Sequence, residues 1–329
     1  MKQYHVYGLG AALVDTEIEV TDEFLQSAKI EKGLMTLVDE ARQSELLELM
    51  EEHLIGSKRA SGGSACNTII AASYFGAKTF YSCKVANDEN GQFFHHDTQA
   101  AGVSIQKNDL PIGTTGKCLV MITPDAERTM NTFLGISETL DESQLDFNAI
   151  AQSEYLYLEG YLVTSPTGKS AAIKARKIAE QNNVKTSISL SDPGMVQFFG
   201  DGLKEMIGAK VDLLFCNKDE ALSWTKTENI EQAAEAMKVS AKTFAITLGK
   251  EGALVFDGEH LTTVAGESVS AIDTNGAGDM FAGAFLYAVT AGKSFSEAAT
   301  LANKAAAQVV SQYGPRLKPE QHASLKTFN

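Results

Sequence analysis

Short apolar runs set between longer amphipathic stretches constrain what this chain can fold into. Tyr4 to Leu9, Thr79 to Val85, Tyr155 to Leu162, Thr186 to Ser191, Leu213 to Asn217 and Thr243 to Gly249 have the length and composition of buried strands. Between them, Ser44 to Leu54, Asn67 to Phe75, Gly168 to Gln181, Glu231 to Lys238, Met280 to Thr290 and Glu297 to Val310 repeat apolar residues with the helical period of about 3.6. A strand that is apolar on both faces must be covered on both faces. The alternation therefore predicts a three-layer α/β fold, helices on either side of a mainly parallel sheet.

Two stretches break the rhythm. Glu17 to Val38 alternates irregularly, and Thr114 to Thr123 with Arg128 to Phe133 reads as a hairpin around Pro124-Asp125-Ala126-Glu127. Neither suits a crossover helix, so both are assigned to a small β-rich lid, residues 15–38 and 104–134. The main part is then 1–14, 39–103 and 135–329. A second hairpin, Ala253 to Phe256 with His260 to Val264, turns at Asp257-Gly258.

Composition narrows the partners. With 28 Lys and Arg against 42 Asp and Glu, the formal net charge of -14 repels nucleic acid and anionic lipid. Cys66, Cys83, Cys118 and Cys216 lie far apart in apolar surroundings, the pattern of free buried thiols rather than of a disulfide or zinc site. The N-terminus runs straight into a strand, and no segment approaches about 18 consecutive apolar residues, so a cytoplasmic protein is expected, with no membrane span.

Asp273-Thr274-Asn275-Gly276-Ala277-Gly278-Asp279 precedes the helical run from Met280. N–H groups of Gly276, Ala277 and Gly278 at a helix start favour an anion. Asp279 would repel that anion if binding were its only task. A carboxylate beside an anion hole does suit removal of a proton from a hydroxyl that attacks a phosphoryl group. Read alone, Asp279 can also be a helix N-cap, although the catalytic reading is the one its setting favours. Ser61-Gly62-Gly63-Ser64-Ala65-Cys66-Asn67 also precedes a helical run. Its glycines permit close approach, and Asn67 offers donor and acceptor to a diol or simply caps a tight turn.

Other motifs fail or stay open. Gly8-Leu9-Gly10-Ala11-Ala12-Leu13 lacks the third glycine of a dinucleotide fingerprint, and Asp15 is too close to be its ribose-binding acid. Gly113-Thr114-Thr115-Gly116-Lys117-Cys118 has the wrong spacing for a P-loop. His95-His96 reads as solvated surface. Asn217-Lys218-Asp219-Glu220 could place oxygen ligands near Mg²⁺ or merely start a helix, and Thr247-Leu248-Gly249-Lys250-Glu251-Gly252 is by chemistry a Gly-rich turn.

The segment ending at Asp279, with Gly283-Ala284-Phe285-Leu286 after it, resembles the C-terminal signature of ribokinase-like (PfkB) carbohydrate kinases, and Ser61 to Asn67 resembles their upstream signature. Lys84-Val85-Ala86-Asn87-Asp88, Asp125-Ala126-Glu127-Arg128-Thr129-Met130 and Leu158-Glu159-Gly160-Tyr161 look like bacterial adenosine-kinase-like members. The resemblance spans the chain from Asp15 to Tyr313-Gly314-Pro315-Arg316. It implies a ribokinase-like fold, Asp279 as catalytic base and Gly276 to Gly278 as anion hole. It further implies Asp15, Gly62, Gly63 and Asn67 at the substrate, with Arg128 over the substrate or reaching phosphate. Asn217, Glu220, Thr247, Gly249, Gly252 and Asn303 fall at the nucleotide, with Glu220 ordering Mg²⁺ through water and K⁺ a candidate ion beside the anion hole. Ala11 replaces an Asn common in the family. The implied reaction is transfer of the γ-phosphate of ATP to a primary hydroxymethyl group of a ribose-containing substrate, adenosine or another nucleoside. The alternatives are a ribose- or fructose-type sugar kinase and a non-catalytic ligand-binding regulator, as monomer or homodimer.

Overall fold

The structure, a computed structural model, describes residues 2–50, 58–106, 110–125 and 127–326. Among them nine strands form the main sheet, in the spatial order Leu261–Ala265, Gly252–Phe256, Ala241–Thr247, Val211–Asn217, Lys185–Ser189, Ser153–Glu159, Tyr4–Leu9, Thr79–Ser82, Ser104–Ile105. All neighbours run parallel except the antiparallel edge, where Ala241–Thr247, Gly252–Phe256 and Leu261–Ala265 pair in turn. That edge is the second hairpin expected from the sequence.

Successive strand residues point to opposite faces, which is why the runs are apolar throughout. Tyr155, Tyr157, Leu213 and Phe215 pack on one side with the helices Ser64–Phe75, Ala277–Thr290 and Phe295–Val310. Leu156, Leu158, Leu214 and Cys216 pack on the other with Pro166–Gln181, Pro193–Ile207 and Ile230–Met237. Gly8 has no side chain because a Cβ there would lie 2.4 Å from Ile69 Cγ1, on the helix that crosses it.

Several expected elements differ in extent. The strand from Thr79 ends at Ser82, and the run to Leu162 becomes a strand ending at Glu159 followed by a 3-10 turn, Gly160–Thr164. The helix expected from Ser44 is Glu40–Leu49, started by the Asp39 carboxylate, which accepts from Arg42 N at 2.8 Å; positions 51–54 of that expectation lie outside the described residues, as does Ala126 of the hairpin turn. Pro193–Ile207 has no counterpart among the expected helices. Its Gly194, Gly200 and Gly202 hide the periodicity, and Phe199 is non-helical inside it.

A second sheet of five strands covers one end of the first, in the order Met35–Leu37, Arg128–Gly135, Thr115–Ile122, Leu13–Glu19, Lys58–Gly62. It takes in Lys58–Gly62, which the sequence boundaries group with the main part. Within 15–38 it also carries a helix, Asp22–Ser27, capped by Thr21. Ile18, Leu25, Leu46, Leu119 and Met121 form a small core on its outer side, while Leu13, Cys118 and Val120 face the main sheet with Met130 and Leu134.

Candidate active site

The strand order reverses around Tyr4–Leu9, with Thr79–Ser82 on one side and Ser153–Glu159 on the other. A crevice opens outside the carboxyl ends of parallel strands at such a point. Leu9 and Glu159 end there, Asn217 and Thr247 end further along, and the second sheet roofs the crevice.

Two cavities share the start of the helix Ala277–Thr290. The first, under the roof, is lined by Ala11, Asp15, Gly63, Ser64, Asn67, Arg128, Asn275 and Asp279, with an apolar wall of Leu13, Met35, Leu37, Cys118, Met130 and Leu134. The second, outside the roof, is lined by Asn217, Thr247, Gly249, Gly252, Ala277, Gly278 and Asn303, with Val269, Phe281 and Val310 as apolar surfaces. Of the sequence-derived substrate residues, Asp15, Gly63, Asn67 and Arg128 line the first, and of the nucleotide residues Asn217, Thr247, Gly249, Gly252 and Asn303 line the second; Gly62 and Glu220 line neither.

Gly276 begins the shared helix at φ +73, and no side chain caps it. A Cβ on Gly276 would lie 2.5 Å from Pro315 O, so the turn depends on glycine. Asp273 braces the loop from below: its carboxylate is buried and accepts from Asn275 N and Gly314 N, both at 2.8 Å. Ala277 N turns back to Thr274 O at 3.3 Å, and with no side-chain cap the positive end of the helix dipole is directed outward.

Asp279 is partly buried, and its two oxygens are fixed by the Ser61 to Asn67 segment. Ser64 Oγ donates to Oδ1 at 2.6 Å, and Asn67 Nδ2 donates to Oδ2 at 3.2 Å. Burial pushes the Asp279 carboxyl above the ordinary aspartate range, against the opposing pull of Ser64, Arg128, Asn67 and Arg316. A carboxylate so raised is a stronger base, and these donors oppose the shift. Asp15, buried on the strand Leu13–Glu19, is lifted to about 8 by burial, opposed by Arg316. Gly62 lies against it; a Cβ there would come within 2.0 Å of the carboxylate.

Arg128 reaches down from the roof, and its Nη1 donates to Asn275 Oδ1 at 3.2 Å, so it is not a solvated surface arginine. Asn217 and Glu220 form a reciprocal helix cap: Glu220 N donates to Asn217 Oδ1 at 2.8 Å, and Asn217 N and Nδ2 donate to the Glu220 carboxylate at 3.0 and 2.7 Å. Burial raises Glu220 to about 7. Asn303 Nδ2 donates to Val264 O and Ala265 O at 3.1 and 3.0 Å, pinning the sheet edge beside the second cavity.

Glu159 and Arg316, both inside segments quoted for the resemblance, were not expected at the site. Glu159 is buried at the end of its strand and accepts from Ala11 N at 2.7 Å and Ala65 N at 2.8 Å, joining the two points where the roof meets the main sheet. Arg316 donates to Asn67, Asp97 and Ser61. Backbone-directed acids and bridging arginines leave no spacing signal in a sequence.

A roofed crevice that places an acid-tipped helix start between two cavities has the layout that phosphoryl transfer requires. The model of the pfkB family carbohydrate kinases matches residues 41–322, and the chain belongs to that family. Its fold is that of solved relatives: a bacterial adenosine kinase from Sinorhizobium meliloti is 35% identical with a TM-score of 0.91, covering 99% of this chain and 100% of that one. A probable sugar kinase from Rhizobium etli is 34% identical, also with a TM-score of 0.91 and coverage of 99% and 100%. Among curated proteins, adenosine kinase from Schizophyllum commune is 24% identical over 97% of this chain and 98% of its own length. The protein is a kinase with an alcohol acceptor, of the adenosine-kinase-like type. No helix among the described residues is long and apolar enough to cross a membrane.

Proposed function

We propose that the protein transfers the γ-phosphoryl group of ATP to the primary hydroxyl of a nucleoside, with adenosine the leading candidate. One observation carries this reading. The first cavity has a polar end formed by Asp15, Asn67 and Asp279 and an apolar wall formed by Leu13, Leu37, Met130 and Leu134. A free pentose is hydroxylated on every side and has nothing to set against that wall; a nucleoside offers a sugar to one end and a flat base to the other. The adenosine kinases among its relatives support the same choice.

In the mechanism, Asp15 and Asn67 hold the ribose hydroxyls and Asp279 takes the proton of the attacking hydroxyl. The new O–P bond forms as the bond to the ADP oxygen breaks, so ADP leaves with the electron pair. N–H groups at Gly276 to Gly278 meet the negative charge of the transferring group, and Arg128 adds a positive charge from the roof. The roof also keeps out water that would compete as acceptor. Among the described residues no three His, Cys, Asp or Glu converge on an ion site. That fits Mg²⁺, which is ordinarily held by nucleotide phosphates, waters and one or two carboxylates. Glu220 and Asn217, which cap one another at the start of their helix, would order its waters, and the ion would supply positive charge to the nucleotide phosphates. K⁺ beside the anion hole stays part of the proposal.

A coupled ADP-release assay across adenosine, other nucleosides, ribose and fructose tests the reading. Turnover highest with adenosine or another nucleoside is expected; turnover with ribose or fructose and none with nucleosides would replace it with the sugar-kinase reading.

A further inference from the structure

Arg316 lies beyond both signatures, yet its side chain is only 14% exposed and every nitrogen has an acceptor. Nε donates to Asn67 Oδ1, Nη1 to Asp97 Oδ2 and Nη2 to Ser61 Oγ, each at 3.0 Å. The two faces of the Asn67 amide are thereby assigned. With Oδ1 taken by Arg316, Nδ2 must turn toward Asp279, where it donates at 3.2 Å. The flipped amide would set oxygen against the Asp279 carboxylate and NH₂ against a cation. Ser61 and Asp97 hold the fork in its plane, as a bidentate arrangement does and a lysine cannot. The same segment backs the anion hole, since Pro315 packs against Gly276 and Gly314 donates to Asp273.

We infer that Arg316 is a positioning residue of phosphoryl transfer: it fixes the Asn67 amide so that Asp279 is aimed and kept ionised. The inference rests on Asp279 being the base. The charges facing Asp279 come from four elements: Arg128 on the roof hairpin, Asp15 on the roof strand, Glu159 on the main sheet, and Arg316. Two of the three partners besides Arg316 are acids. Both cations oppose them, Arg128 more strongly, and Arg316 is the one whose guanidinium is also hydrogen-bonded to the Asn67 amide that meets Asp279.

The test compares Arg316→Met and Arg316→Lys with wild type, on whichever acceptor the substrate panel identifies. For Arg316→Met a loss of about 10²-fold in kcat is expected, with the KM for ATP little changed. The acid limb of the pH–rate profile should move up by roughly one pH unit or more, because the carboxylate has lost an opposing charge. Added guanidinium should restore part of the rate, and Arg316→Lys should recover the pH limb better than the rate. Asp97→Asn, which loosens the fork without removing the cation, should cost less and leave the limb in place. An unshifted limb in a folded Arg316→Met protein, as judged by its Tm, would overturn the inference, as would full activity. An Arg316→Met chain too unstable to assay shifts the decision to Arg316→Lys, whose unchanged rate would overturn it too. Inactivity of wild type on every acceptor would instead strike at the proposed function.

Discussion

Asp15 shows how a binding residue weighs on the fold that carries it. Burial lifts it to about 8, so the folded chain holds this proton more tightly than the unfolded chain does. The stability so contributed is complete below the ordinary aspartate range and is lost as pH rises to about 8. Glu159 and Glu220, each raised to about 7, carry the same sign. Asp15→Asn, neutral at every pH, should therefore raise Tm by a few degrees at about pH 9 while phosphorylation of the acceptor falls steeply. A thermal melt across pH checks this; an unchanged or lower Tm at high pH would count against it. Asp279 is legible in the sequence because it directly follows the glycine loop Gly276-Ala277-Gly278, and Asp15 only through the family resemblance. Arg316 is not, since its contacts with Ser61, Asn67 and Asp97 span 255, 249 and 219 residues.

At the level of elements, helices that join a reciprocal cap to an apolar period are the legible ones. Ser294 with Glu297 and Asn217 with Glu220 both form reciprocal caps. Elements that escaped notice are capped but lack a readable period: Asp22–Ser27, capped by Thr21, has only six residues, and Pro193–Ile207, capped by Asp192, is interrupted by glycines. The strand Lys58–Gly62 is short and polar, and the neighbour that makes it a strand, Leu13–Glu19, is distant in the chain. Its last residue gives a sharp prediction. Gly62→Ala should push the Asp15 carboxylate aside, raising KM for the acceptor by roughly tenfold or more while the KM for ATP holds. Steady-state kinetics with each substrate varied in turn decides; equal rises in both constants would mean a general disturbance of the fold.

For the molecule as a whole, period and alternation disclose the layered main sheet, whereas the roof's position over it depends on packing that no local pattern encodes. That position makes one helix start serve two cavities, so that Ala277 and Gly278 line one and Asp279 the other. The central claim is that Asp279 carries the proton at this boundary. Replacement by Asn keeps shape and removes basicity, and general base catalysis ordinarily contributes about 10²- to 10⁴-fold. The most direct measurement is therefore ADP release by Asp279→Asn at saturating ATP and acceptor, with ATP binding followed in parallel. Turnover lower by about 10²- to 10⁴-fold with ATP binding intact is the expected result. Near-normal turnover would contradict the account.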